Sequence, residues 1–159
     1  MWNSFYLVGP ADDPAGIKGE SDMAAVMEKL RTANAPFVSR GDDSGTHKRE
    51  LKLWGDQVPA GENYIAAGAG MGDTLIMANE KSAYTLTDEA TFLSMKDKLP
   101  NLEEMVKDLP ELLNEYGVMI VSSTEKKEAA QKFVDFVVSD EAKEIIANYG
   151  MDQYGKALF

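Results

Sequence analysis

The sequence predicts an α/β fold, in which short buried strands alternate with amphipathic helices. Short apolar runs stop at Gly, Pro or polar loops, as buried strands do. Between these runs, apolar residues recur at the spacing of a helix face. A length of 159 residues and a 44% hydrophobic composition are sufficient for one domain with its own core.

Strands are predicted wherever a short apolar or β-branched run is bounded by turn residues. The first such run, 5–8, is stopped by Gly9 and Pro10. The later runs are 36–38, 64–67, 83–87 and 116–121. The charged segment 96–110 contains no such run, and we expect it to be partly helical.

Helices are predicted where apolar residues recur at i, i+3 and i+4. Ser21 precedes the first of them as its expected N-cap, and this helix ends near Asn34. Asp88 and Ser139 are the expected caps of later helices, and Gly150 is the expected stop of the last. The helices and their inward residues are 23–34 (Met23, Val26, Met27, Leu30), 46–54 (His47, Leu51, Trp54), 73–81 (Leu75, Ile76) and 89–95, then one opened by residues 122–124 (Ala130, Phe133, Val134, Val137) and one starting at 139–141 (Ala142, Ile145, Ile146, Tyr149).

The bulk composition excludes several classes of function. A formal net charge of −11 argues against nucleic acid or an anionic membrane as a partner. The absence of Cys excludes disulfides, thiolate metal sites and a Cys nucleophile. No apolar run approaches the roughly 20 residues of a membrane span, and the first residues lack the basic start and apolar run of a secretory signal. No GxSxG or Walker motif indicates an enzyme.

One stretch predicts an anion site. The strand 36–38 is followed by Arg40, a Gly/Asp/Ser loop and the helix 46–54. A helix that starts directly after a strand aims its free N–H groups at one point, and Arg40 adds a cation beside that point. The alternative is an ordinary strand-to-helix turn, in which Asp and Ser cap the helix and Arg40 forms a surface ion pair.

A second Gly-rich loop, 68–72, also leads into a helix. Taken alone it is weak evidence, because glycines also serve plain tight turns, and its spacing does not fit the dinucleotide fingerprint. Together with the first loop it predicts two helix N-termini that face one groove and hold an oxyanion through backbone N–H groups.

The run SRGDDSGTHKRELKLW resembles the signature of the periplasmic tungstate-binding proteins of ABC importers, which have the type II periplasmic-binding-protein fold. The stretches FYLVGPADDPAGI, GAGMGDTL and EKSAYTLTDEATFL agree in the same order. The resemblance implies a crossing strand at 1–9, a second lobe at 10–116 with a mixed central sheet flanked by helices, and a returning crossing strand with C-terminal helices at 117–159. We expect the first lobe, which carries a Thr/Ser-rich anion loop, to be missing.

The resemblance also implies roles for individual residues. The expected ligand contacts are Arg40, Ser44, Gly45, Thr46, Gly70, Met71 and Gly72. Four neighbours are expected to shape the loop without touching the ligand: Ser39, Asp42, Asp43 and His47. The implied ligand is tungstate, with molybdate as a related candidate, and the implied partner is the importer's membrane subunit. The implied location is periplasmic or extracytoplasmic, with no enzyme activity, cofactor or bound metal.

Several alternatives and departures remain open at this point. Glu89 stands where family members generally carry a basic residue, which removes a positive charge near the lobe surface. Asp42, Asp43 and His47 are candidates for a metal-dependent hydrolase, and a ligand-sensing effector domain could use the same fold. Because one wall of the cleft is expected to be missing, we expect weak ligand binding. Because the lobe that would cover the C-terminal helices is also expected to be missing, we expect a homodimer formed through these exposed helices.

Overall fold

In the computed structural model, which describes residues 1–159, strands and helices alternate along much of the chain, as an α/β fold requires. The strands are β1 (Trp2–Pro10), β2 (Phe37–Ser39), β3 (Tyr64–Ala66), β4 (Thr85–Asp88), β5 (Leu102–Val106) and β6 (Leu113–Glu115). The helices are α1 (Met23–Thr32), α2 (Gly45–Trp54), α3 (Met71–Lys81), α4 (Glu89–Met95), α5 (Lys127–Val137), α6 (Asp140–Asn148) and α7 (Met151–Tyr154), with 3-10 turns at Lys96–Lys98 and Pro110–Leu112. None of the helices combines the length and the apolar character that crossing a bilayer requires.

The chain forms two compact units and passes between them after Asn3 and again after Leu113. The larger unit is Ser4–Leu113, and the smaller unit is Met1–Asn3 with Asn114–Phe159. Helices α1 to α4 lie in the larger unit, and helices α5 to α7 lie in the smaller one.

The strands form two sheets, and both antiparallel and parallel pairs occur in the larger unit. Strand β1 pairs antiparallel with β4 on one side and with β5 on the other, and β6 also pairs with β1. Strands β2 and β3 pair in parallel, with Val38 opposite Ile65. A parallel bridge between Phe37 and Tyr84 connects β2 to the segment that leads into β4. Strands β2 and β3 therefore point their carboxyl ends toward the same edge.

Side chains alternate across β1 and fill a core on each face of the sheet. Phe5 and Leu7 pack on one face with residues of α1 and with Trp54 of α2. Tyr6 and Val8 pack on the other face with residues of α3 and α4. The predicted core positions of α1 are confirmed, since Met23, Val26, Met27 and Leu30 are all buried.

The smaller unit has far fewer buried side chains. The Tyr116 N–H donates to the Met1 carbonyl at 3.0 Å, and the Asn114 amide donates to Asn3 at 2.8 Å. Helix α5 buries no residue, and α6 buries only Ala142. Of the inward positions predicted for these two helices, Ala142 is confirmed, whereas Phe133, Ile145 and Tyr149 are exposed; Ala130, Val134, Val137 and Ile146 are half-buried.

Three predictions of secondary structure are wrong. The segment 116–121 forms no strand, and β6 ends just before it at Glu115. The segment 96–110 contains the unpredicted strand β5, in which the charged Glu103 and Glu104 interrupt the buried residues, and only its 3-10 turn Lys96–Lys98 fits the expected helix. Helix α5 begins at Lys127, after Lys126 at the N-cap position, rather than at residues 122–124.

Three predictions of individual positions are also wrong. Asp22, rather than Ser21, caps α1, because its carboxylate accepts the Ala24 N–H at 2.9 Å. Ile76 of α3 is exposed, and the inward residues of that helix include Leu75 and Ala78. The buried face of α2 consists of Thr46, Glu50 and Trp54, whereas His47 and Leu51 are half-buried.

Candidate functional site

The two predicted anion loops lie side by side at the carboxyl edge of β2 and β3. Beyond the last strand pair, the Ala67 N–H donates to the Ser39 carbonyl and the Gly68 N–H donates to the Arg40 carbonyl, each at 2.8 Å. These bonds extend the parallel pairing into both loops. The carboxyl ends of parallel strands are where ligands bind in open α/β sheets, so the candidate site has the expected position.

Close packing between the loops depends on a glycine. Gly41 has a φ of 60°, and a Cβ placed on it would lie 2.8 Å from the Cβ of Ala66. A residue with a side chain would be strained by this backbone conformation and would push β3 away. Gly41 therefore allows the two loops to lie next to each other.

Arg40 follows β2 directly and brings a guanidinium group to this edge. Its Nη2 donates to the carboxylate of Asp42. Its Nε–H is buried and has no hydrogen-bond partner. A buried donor left without an acceptor costs about 1–3 kcal/mol, so an acceptor supplied from outside the chain would remove that penalty.

Asp42 and Ser44 hold the loop between Arg40 and α2. Asp42 accepts the Ser44 N–H at 3.1 Å, and Ser44 Oγ accepts the His47 N–H at 3.3 Å as the N-cap of α2. Hydrogen bonds from Ser44, assisted by the Arg40 guanidinium, hold the pKa of the Asp42 carboxyl below its usual range. Asp42 is therefore ionised at neutral pH and already accepts hydrogen bonds from Arg40 and Ser44.

Two helix N-termini open onto this edge. In α2 the first helical N–H groups, those of Gly45 and Thr46, have no acceptor within the chain, and the Thr46 side chain is buried. In α3, which begins at Met71 after Gly70 at the N-cap, no side chain caps the first turn. Unpaired N–H groups at a helix start carry partial positive charge and attract anions.

The arrangement of Asp43 and His47 does not suit a metal site. The Asp43 N–H donates to His47 Nδ1 at 3.0 Å, so that nitrogen is occupied by a backbone donor. The Asp43 side chain is 87% exposed and lies 3.6 Å from Lys48. No three His, Asp or Glu residues come together as a set of metal ligands. The geometry therefore favours anion binding over the metal-dependent hydrolase.

The structure adds Glu50 to the site, which the sequence analysis missed. Glu50 is 2% exposed, and its Oε1 accepts from the Tyr64 hydroxyl at 2.6 Å and from Trp54 Nε1 at 3.3 Å. The only signal in the sequence is its place four residues before Trp54, on the same helix face. Burial raises the pKa of Glu50, and burial together with Glu50 raises the pKa of Tyr64 to about 12.

Glu89 does not lie at the lobe surface, so that expectation is wrong. It is the first residue of α4, it is 5% exposed, and it accepts a hydrogen bond from the Tyr6 hydroxyl. Burial raises the pKa of the Tyr6 hydroxyl most, and its hydrogen bond to Glu89 raises the pKa further. Asp88 does cap α4 as predicted, by accepting the Thr91 N–H at 2.8 Å.

Comparisons with known proteins agree with this architecture. A family profile described as "PBP superfamily domain" matches residues 1–141. A tungstate-binding protein, TupA, of Peptoclostridium acidaminophilum is 43% identical, and the alignment covers 100% of this chain and 58% of that protein. A putative ABC transporter anion-binding protein of Haloferax volcanii is also 43% identical, with 100% and 49% covered. The chain thus spans about half the length of these curated relatives.

A solved structure shows the same fold. The tungstate-binding protein TupA of Desulfovibrio alaskensis G20 superimposes with a TM-score of 0.82 at 38% identity, covering 100% of this chain and 67% of that one. The profile spans most of the chain, and the α/β architecture described above agrees with it. The chain therefore belongs to the PBP superfamily.

Proposed function

We propose that the chain binds a tetrahedral oxyanion at the edge formed by the two loops. The buried, unpaired Nε–H of Arg40 carries this proposal, because it is a charged donor that lacks an acceptor. The free N–H groups at the starts of α2 and α3 supply further donors around the same edge. Ser44, Gly45, Thr46, Gly70, Met71 and Gly72 are the proposed partners of Arg40.

The proposed ligand is tungstate, with molybdate as a related candidate of the same shape and charge. Support comes from the relatives and solved structures named for tungstate or anion binding. A charge-assisted hydrogen bond contributes about 1.5–3 kcal/mol. The net charge of −11 repels an anion at long range, so the affinity has to come from local donors.

We further propose that the chain acts on the extracytoplasmic side as the substrate-binding component of an ABC importer, with the importer's membrane subunit as its partner. The relative named as an ABC transporter anion-binding protein supports this role. In this proposal the second lobe is 10–116, and the segments 1–9 and 117–159 belong to crossing strands and to the other lobe. A homodimer through the C-terminal helices belongs to the same proposal. The role that we propose for the site is binding alone, with no catalytic step.

Isothermal titration with tungstate tests the site. Replacing Arg40 with Ala removes the charged donor, and we expect a loss of roughly 100-fold in affinity, which corresponds to about 3 kcal/mol. Arg31→Ala is the matched control, because Arg31 is an exposed Arg that pairs with Glu28 on α1. Circular dichroism should show both variants folded. An Arg40→Ala variant that binds tungstate within a few fold of the parent would remove Arg40 from the site.

A further inference from the structure

Glu50 is a buried charged residue that is not among the proposed ligand contacts. A carboxylate in a protein interior is unfavourable unless donors surround it. Glu50 has such donors from Tyr64 and Trp54, both on Oε1. A neutral apolar residue would fill the space without the desolvation cost, which suggests that the hydrogen-bond acceptor has a role.

Residues near Glu50 belong to the elements that form the candidate site: the Ser39 hydroxyl lowers the pKa of Glu50, and Tyr64 donates to it. Ser39 Oγ accepts the Gly41 N–H at 3.2 Å, at the turn that carries Arg40. Tyr64 lies on β3, which leads into the Gly-rich loop, and its ring stacks on Phe37 of β2 at 6.1 Å. Glu50 itself is on α2, whose first turn supplies free N–H groups.

We propose that Glu50 is a positioning residue of the oxyanion site, which holds β3 and α2 in register through Tyr64, next to the Arg40–Gly41 turn. The proposal rests on the proposed function and deepens it. Glu50 acts through its neighbours and does not touch the anion.

The position of Glu50 also predicts a dependence of affinity on pH. The ionisable groups that face it are His47 on its own helix and Tyr64 on β3. A bound dianion repels an ionised Glu50, so binding favours the protonated carboxyl. Because burial raises the pKa of Glu50, affinity should fall as the pH rises above the ordinary Glu value of 4.5. A His47→Asn background removes the other ionisable group on α2 that faces Glu50, so a remaining pH dependence belongs to Glu50.

The test is tungstate titration of the 159-residue chain across a range of pH, in the His47→Asn background. Glu50→Ala should weaken binding about tenfold or more, because the hydrogen bonds that hold Tyr64 and Trp54 against α2 are lost. Glu50→Gln should recover most of that loss, because an amide oxygen can accept from Tyr64 and Trp54, and its affinity should no longer fall with rising pH. Glu80→Ala, on the exposed side of α3, is the control.

Tyr64→Phe provides an independent readout that does not depend on how Glu50→Ala folds. The Tyr64 hydroxyl lowers the pKa of Glu50. Its removal should therefore move the fall in affinity to higher pH, a shift that a purely structural role would not produce.

Three outcomes would overturn the proposal. The first is a Glu50→Ala variant within about twofold of the background, and the second is a Glu50→Gln variant as weak as Glu50→Ala. The third is a Tyr64→Phe variant whose pH profile is unchanged. If the unsubstituted chain binds no tungstate up to millimolar concentration, the proposed function fails and this inference fails with it. Binding by the unsubstituted chain with any of the first three outcomes rejects the inference alone.

Discussion

A carboxylate beside an anion-binding Arg disfavours the anion but stabilises the loop. Asp42 pairs with Arg40 and accepts the Ser44 N–H, so it fixes both the guanidinium and the entry to α2. Because the pKa of Asp42 is lowered in the folded chain, its contribution to the stability of the loop is present at neutral pH. It is lost as the pH falls below the ordinary Asp value of 3.8.

Replacing either loop Asp with Asn should therefore leave measurable binding. An Asn at position 42 can still accept from Ser44, and it removes a repulsion of about 1 kcal/mol between like charges near 4 Å in water. Asp43 is exposed, so Asp43→Asn should change affinity less than Asp42→Asn does. Calorimetry with tungstate measures both. Tight, stoichiometric uptake of a divalent metal by the parent, lost in these variants, would favour the hydrolase instead.

Single residues were predictable where the signal is local. Arg40 and Thr46 lie within seven positions of one another. The strand before them, the loop between them and the helix start follow from the order of the residues. Glu50 and Glu89 were not predictable, because a Glu is usually solvated. Their burial depends on Tyr64 and on Tyr6, which lies 83 residues away from Glu89 in the sequence.

At the scale of elements, the candidate site depends on two parallel strands that end together. Gly41 permits this, since its backbone is left-handed and its Cβ position is filled by Ala66. Replacing Gly41 with Ala should destabilise the chain by at least the roughly 1–2 kcal/mol of a left-handed backbone. It should also weaken tungstate binding, because β3 and its loop are displaced from Arg40.

Gly16→Ala is the matched control for that change. Gly16 has a φ of 66°, but no atom lies within 4 Å of its Cβ position. Denaturant unfolding of both variants separates backbone strain from displacement of β3. If Gly41→Ala is no less stable than Gly16→Ala and binds tungstate as the parent does, the two loops do not need this close approach.

Elements were predictable where apolar periodicity is strong, as in α1. They were missed where pairing partners decide the structure. Strand β5 has only five residues and no regular alternation, and its pairing with β1 selects the extended conformation. Conversely, 116–121 is apolar and β-branched but forms no strand, because β-propensity without a partner strand is insufficient.

At the scale of the whole molecule, the smaller unit exposes large apolar side chains. Phe133 and Ile145 are 62% and 57% exposed, on α5 and α6. An apolar groove of about 760 Å³ lies in this unit and includes Phe133 and Ile146 in its lining. Burial of such a side chain is worth about 1.5–3 kcal/mol, which is the physical reason for the proposed homodimer.

Light scattering at micromolar concentration should therefore detect a dimer. Phe133→Glu and Ile145→Glu should shift it toward monomer, because a charge in the apolar interface is costly. Val58→Glu is the control, since Val58 is an exposed apolar residue of the larger unit. A parent chain that is monomeric at these concentrations would show that the exposed helices do not drive association.

The proposed oxyanion site is the carboxyl edge of β2 and β3, where Arg40 and the N-termini of α2 and α3 lie. Diffraction from crystals grown with tungstate, measured at the tungsten absorption edge, tests this directly. We expect one strong anomalous peak, from a tungstate ion whose oxygens accept hydrogen bonds from Arg40 Nε and from the N–H groups of Thr46 and Met71. A well-occupied tungsten atom elsewhere on the chain, with no peak beside Arg40, would contradict it.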